Sequence, residues 1–277
     1  MTFRRKLEAA WDRSGSLLCI GLDPDPSRMA IADVAAFNIA IIEATSDLVC
    51  AYKPNVAFYE ALGPERGYEA LRKTLAAIPP HVITLVDAKR GDVEHTARAY
   101  AQAFFDNLGF DAATVNAYLG EDSITPWIER DAHAAFVVCR TSNPGAPDLQ
   151  DLQVQPQAGG SARPLFEVVA ERAKAWDAHG NVGLVVGATY PGEMRRIREL
   201  CPEMPFLVPG IGAQGGSLAE TVRAGVDARG RGLLISASRG VTYASQGADF
   251  AQAARREAQR LHDEIIRERD TVAAARG

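Results

Sequence analysis

The sequence predicts one (β/α)₈ barrel domain over residues 1–277, with a short N-terminal helix and a long loop after the fifth strand. Three observations carry that reading. Eight short apolar segments alternate with stretches of helical period, as in a chain of parallel βα units. The alternation runs through about 250 residues, the usual size of such a barrel. Polar and charged residues gather where most of the apolar segments stop, and a barrel builds its sites at those strand ends. A doubly wound open sheet uses the same alternation and is the rival fold, because strand number alone does not prove closure.

Residues 3–13 alternate basic and apolar groups at helical spacing and predict the opening helix. Leu17 to Asp23 is the first strand, closed by Pro24 and Pro26, which cannot continue a ladder. Residues 30–46 place Ile31, Val34, Phe37, Ile41 and Ile42 on one helical face, and Leu48 to Lys53 is the second strand, ended by Pro54. Residues 59–77 are amphipathic up to Pro79-Pro80. Strand three opens at Ile83 and leads into a helix through about residue 107. Strand four begins at Ala113–Val115 and runs towards Gly120, with a helix over 121–130, and strand five is Ala134–Cys139. Strands six, seven and eight are Val182–Val186, Phe206–Val208 and Leu233–Ile235. The remaining helices fall at 164–178, 191–200, 216–224 and 247–268. The connection from Thr141 to Arg163 is long and rich in Pro, Gly and Gln, which suits a lid over a site.

The totals narrow the function. A net charge of −5 argues against a nucleic-acid surface, though not against local pockets for small anions. No apolar run is long enough to span a bilayer, and the short stretch ending at Asp23 reads as a strand, not a signal peptide. Cys19, Cys50, Cys139 and Cys201 have neither metal-ligand nor redox spacing, so they read as reduced core thiols of a cytoplasmic protein. The five histidines are scattered, and no metal cluster is predicted.

Two groups of residues carry chemistry. Ile83-Thr84-Leu85-Val86-Asp87-Ala88-Lys89-Arg90-Gly91-Asp92 begins as a strand covered on both faces and ends in an acid, a base and a second acid. On a regular strand Asp87 and Lys89 share a face. Lys53 ends the neighbouring strand, about 4.8 Å away across the ladder. Flanking carboxylates keep both lysines cationic. A substrate carboxylate set over this array would be repelled in its ground state and relieved by losing CO₂. The nearby ammonium could then stabilise and protonate the carbanion.

The second group is Pro209-Gly210-Ile211-Gly212-Ala213-Gln214-Gly215-Gly216, whose glycines allow close backbone approach and whose free N–H groups lead into a helix start. Arg239 follows the next strand and can grip phosphate with two N–H groups. Loops after strands seven and eight are the usual phosphate site of such barrels.

Asp87-x-Lys89-x-x-Asp92, with Lys53 and Asp23 on the two preceding strands, resembles the orotidine 5′-phosphate decarboxylase family. Thr141-Ser142-Asn143-Pro144-Gly145, the glycine-rich turn and Ser236-Ala237-Ser238-Arg239 fit the same family, particularly its longer bacterial subclass, type 2. The resemblance spans about residues 17–245, with its motifs in the expected order. It implies conversion of orotidine 5′-monophosphate to UMP in pyrimidine biosynthesis, with no cofactor and no metal. Carried over by position, Lys89 would donate the proton to C6 of the pyrimidine, and Asp87 would crowd the substrate carboxylate. Lys53 would hold the array and touch the ribose, whose hydroxyl Asp23 would bind. Asp92 and Thr96 match residues that reach into a partner's site, which implies a homodimer with shared active sites. Ser142 would read the pyrimidine edge, and Gln214 and Arg239 would hold the phosphate.

The sequence departs from the family pattern at three places. Val93 stands where many members carry isoleucine, and the long loop after Ser142 obscures that residue's partners. Asp227-Ala228-Arg229-Gly230-Arg231-Gly232 adds two arginines that compete with Arg239 for the phosphate role. The alternatives are a related Mg²⁺-dependent sugar-phosphate decarboxylase or aldolase, and a non-catalytic barrel that binds a phosphate ligand.

Overall fold

The computed structural model describes residues 1–155, 160–212 and 215–276. Helix α1 (Phe3–Ser14) leads into β1 (Leu18–Gly21), α2 (Val34–Thr45) and β2 (Ala51–Lys53). Helices α3 (Val56–Glu60) and α4 (Pro64–Ala77), β3 (Ile83–Arg90), α5 (Glu94–Ala101) and β4 (Ala112–Val115) follow. Then come α6 (Thr125–Ile128), β5 (Ala134–Arg140), α7 (Pro147–Gln150), β6 (Gln153–Val154) and β7 (Arg163–Pro164). Helix α8 (Leu165–Trp176), β8 (Val182–Val186), α9 (Pro191–Leu200), β9 (Phe206–Val208) and α10 (Leu218–Gly225) continue the alternation. The chain ends in β10 (Leu233–Ala237), α11 (Arg239–Thr242) and α12 (Phe250–Arg276).

The expected barrel is present, and closed. Its strand order is β1-β10-β9-β8-β5-β4-β3-β2, every pairing is parallel, and β2 returns to β1 through Gly21↔Lys53. The open-sheet rival is thereby excluded. The strands Leu-Cys-Ile-Gly, Ala-Ala-Thr-Val and Val-Gly-Leu-Val-Val are buried at every residue, as strands covered on both faces must be. Each buried Val, Leu or Ile contributes about 1.5–3 kcal/mol relative to exposure. Barrel interior and helix layer form one continuous apolar cluster from Phe3 to Ile265.

Several element limits differ from expectation for identifiable reasons. Helix α2 starts only after Asp33, whose side chain accepts from the Ala36 N–H, so Ile31 lies outside the helix and is exposed. The helix expected over 59–77 is two helices, because Pro64 fits the first turn of α4 and cannot continue α3. The helix after β3 passes into a π-helical turn at Gln102–Asn107, and residues 121–130 hold only a 3₁₀ turn and the four-residue α6. The long connection carries α7 and a two-strand hairpin, β6 with β7.

The segment Asp227–Gly232 lies at the N-terminal end of β10, away from the mouth. Asp227 accepts from the Arg229 and Arg231 N–H groups, and these arginines pair with Glu8 and Asp12 of α1. Neither competes with Arg239, which begins α11 past the other end of the strand.

Candidate active site

At the mouth, β2 and β3 bring together the residues expected to meet. Asp87 is 8% exposed and takes Lys53 Nζ on Oδ2 at 3.1 Å and Lys89 Nζ on Oδ1 at 2.5 Å. The Lys53 side chain is buried, whereas that of Lys89 is 48% exposed and faces the open end. Burial pushes the Asp87 carboxyl up, but the Lys53 and Lys89 ammoniums outweigh it and hold the group well below the usual carboxylate range. Burial likewise pulls Lys53 down, and Asp23 and Asp87 overcome it, so Lys53 ends above the ordinary amine value. Both groups stay ionised at neutral pH. Removing the Asp87 side chain would leave the buried Lys53 ammonium without its ion-pair partner, a change worth about 3–5 kcal/mol.

The two side chains on β3 meet, though not through regular strand alternation. Lys89 has φ 45°, the one positive value at a non-glycine residue among those described. Strand β3 slips register against β4 between Val86 and Arg90, and the bulge turns Lys89 back over Asp87.

Asp23 lies just past β1 and joins the cluster through the backbone. Its Oδ1 accepts from the Asn55 N–H at 3.1 Å and its Oδ2 from Ser238 Oγ at 2.7 Å. Tyr243 Oη donates to the Asp23 carbonyl at 2.7 Å. Behind it, Tyr59 donates to the Leu22 carbonyl at 3.0 Å and accepts from Asn38, so a buried polar set stiffens the end of β1.

Ser142 follows β5 beside Gly187, where any Cβ would come within 2.9 Å of Ser142 N and Cβ. Its loop is tied down by Gln150 of α7, which accepts from the Thr141 N–H at 2.8 Å and donates to Thr141 Oγ1 at 2.8 Å. Arg140, 1% exposed, also reaches Gln150 and lies 3.9 Å from the Tyr190 ring centroid.

The glycine-rich turn adopts conformations only glycine takes easily, with φ 102° at Gly210, 71° at Gly212 and 86° at Gly215. The N–H groups expected to be free here are partly used by the turn itself. Those of Gly212, Gly215 and Gly216 bond to Gly216, Gly212 and Gly210 carbonyls, and Ser217 caps α10. Gln214 lies outside the described residues. Arg239 is exposed and makes no side-chain hydrogen bond or ion pair among them.

Asp92 and Thr96 are not joined to the array within the chain. The Asp92 carboxylate accepts from the Val93 N–H at 2.8 Å, and Thr96 sits in the first turn of α5. Neither forms a hydrogen bond or ion pair with Lys53, Asp87 or Lys89 among the described residues.

Sequence reasoning missed Thr114, Asn55 and Gln150. Thr114 Oγ1 donates to Asp87 Oδ1 at 2.9 Å, and Asn55 Nδ2 approaches Asp87 Oδ2 at 3.5 Å. A hydroxyl inside the apolar run Ala-Ala-Thr-Val was the one available signal for Thr114. Among the described residues no group of three or more His, Cys, Asp or Glu side chains is placed to hold a metal ion. No helix there is long and apolar enough to cross a membrane.

An acid held ionised by two amines, one of them open to a closed barrel's mouth, is the equipment of a barrel enzyme that acts on charge. The chain belongs to the orotidine 5′-phosphate decarboxylase / HUMPS family, whose model matches residues 16–256. It is 49% identical to the orotidine 5′-phosphate decarboxylase of Thermomicrobium roseum, covering 100% of this chain and 99% of that protein. Identity to the Herpetosiphon aurantiacus enzyme of the same name is 51%, covering 93% and 95%. The solved structure of Leishmania donovani OMP decarboxylase superposes with a TM-score of 0.83 at 42% identity, covering 96% of this chain and 99% of that one.

Proposed function

We propose that the protein decarboxylates orotidine 5′-monophosphate to UMP and CO₂, as a step of pyrimidine biosynthesis, using its own side chains without metal or cofactor. The observation that carries this reading is Asp87 clamped between Lys53 and Lys89 at the barrel mouth. The substrate carboxylate on C6 lies against the ionised Asp87, and their repulsion is relieved as the C6–carboxyl bond breaks and CO₂ leaves. The electron pair left on C6 is stabilised by the Lys89 ammonium and takes a proton from its Nζ. Water then returns a proton to Lys89. Lys53 and Asp23 orient the ribose, Ser142 reads the pyrimidine edge, and Arg239 with Gln214 takes the phosphate. Phosphate binding far from C6 supplies energy that can be used at the transition state.

In this reading residues 1–277 form one barrel domain, supported by the continuous core. The enzyme is a cytoplasmic homodimer in which Asp92 and Thr96 complete the partner's site. Four buried free cysteines support the reducing compartment. Exposed Val93, Tyr118 and Leu119 near the ends of β3 and β4, beside an Asp92 detached from its own array, support the dimer. The test is to incubate chelator-treated protein with orotidine 5′-monophosphate and follow its ultraviolet absorbance and UMP formation. Full turnover is expected; no turnover overturns the assignment, and turnover only on adding Mg²⁺ favours the metal-dependent alternative.

A further inference from the structure

Between the pairs Val86↔Ala113 and Arg90↔Val115, strand β3 carries three residues, Asp87, Ala88 and Lys89, where β4 carries one, Thr114. Inside that bulge lie the Ala88 and Lys89 N–H groups. Both turn to the Thr114 hydroxyl oxygen, each at 2.9 Å. The hydroxyl proton goes to Asp87 Oδ1, also at 2.9 Å. Thr114 is fully buried, and its two lone pairs and one proton are all used. One oxygen therefore takes both backbone donors of the bulge and restrains the carboxylate as well.

We propose that Thr114 is a positioning residue of the decarboxylation, an inference that rests on the function proposed above. Its hydroxyl fixes the left-handed turn that aims Lys89 at the mouth and holds the Asp87 carboxylate in one rotamer. Without it, the buried Ala88 N–H and the partly buried Lys89 N–H are unmet, the bulge relaxes, and Lys89 Nζ loses its place over Asp87. A displacement of about 1 Å at a reacting group costs on the order of 100-fold in rate.

The test compares wild type, T114V and T114S by steady-state decarboxylation, UMP binding and thermal melting. T114V keeps the shape and removes the hydroxyl; its kcat is expected to fall by about 30- to 100-fold. KM and UMP affinity should stay within about threefold, because ribose and phosphate contacts come from other strands. T114S keeps the hydroxyl and should stay within roughly fivefold of wild-type kcat. Normal kcat in T114V, or equal loss of kcat and UMP affinity in a folded T114V, overturns the proposal. Should T114V melt below the assay temperature, T114C replaces it under the same criteria, since a thiol is a poor substitute for the hydroxyl. An inactive wild type overturns the functional reading and this inference with it, whereas an active wild type with normal variants overturns this inference alone.

Discussion

Arg231 and Arg239 flank the same strand, β10, and serve opposite ends of the barrel. Arg231 pairs with Asp12 of α1 beneath the strands, while Arg239 stands exposed at the mouth where α11 begins. Three arginines within eleven residues thus divide into two that tie down the base and one exposed at the mouth.

Arg239→Ala should therefore raise KM by about 10- to 100-fold, the loss of a charge-assisted contact worth about 1.5–3 kcal/mol. Arg231→Ala and Arg229→Ala should leave KM unchanged and lower stability by about 1 kcal/mol or less, as exposed ion pairs do. Parallel kinetics and urea melts separate the two outcomes, and a raised KM in Arg231→Ala would reverse the assignment.

Asp87 sets an acid limit on stability. Its folded-state pKa lies below the ordinary 3.8, so its stabilisation is present above that value and is lost as pH falls through the folded pKa. Lys53 has the opposite sign: its pKa is raised above 10.5, and its stabilisation is lost only as pH rises through the raised value. Wild type should accordingly lose stability more steeply below about pH 4 than Asp87→Asn does. Denaturant melts of both proteins from neutral to acid pH give the comparison, and parallel curves would contradict it.

Gly67 of α4 lies directly on α3. A Cβ there would come 1.9 Å from the Tyr59 carbonyl oxygen and 2.7 Å from its carbon, both rigid backbone. Gly67→Ala should separate the two helices and cost about 3 kcal/mol. Tyr59 also holds the Leu22 carbonyl next to Asp23, so KM should rise along with the loss of stability seen in urea melts.

Lys89→Ala should abolish turnover while the protein still melts cooperatively, because the Lys89 side chain is half-exposed, supplies no core and leaves Asp87 still paired with Lys53. Asp92→Ala should also be inactive if it completes the partner's site. Random mixing of the two variants places one intact site in each heterodimer. About a quarter of wild-type activity should return, half the dimers carrying one of two sites. No recovery after verified subunit exchange would assign Asp92 to its own subunit.

The strands were legible because a parallel barrel buries both strand faces, leaving uninterrupted apolar runs such as Val182–Val186. Lys53, Asp87 and Lys89 were legible because charge at the end of such a run has few structural uses. The separation of α3 from α4 was written in Gly63-Pro64, but the apolar period running across it masked the break. Thr114 was not legible in its role: its partners lie 25 to 27 residues earlier, and only the bulge between β3 and β4 brings them to one oxygen. The spent N–H groups of the glycine turn belong to the same class, since which carbonyl each one meets depends on positive-φ geometry.

Helix α1 rests on segments far from it in sequence. The Phe3 N–H bonds to the Asp131 carbonyl, Lys6 pairs with Asp111, and Trp11 Nε1 donates to the Leu233 carbonyl. During synthesis the Trp11 contact must therefore wait until residue 233 has left the ribosome, about a hundred residues after the partners of Phe3 and Lys6. The apolar face of α1, Phe3, Leu7, Ala10 and Trp11, stays incompletely covered through that interval. The seating of α1 then marks completion of the barrel, and the interval before it is when a nascent chain most needs shelter from self-association.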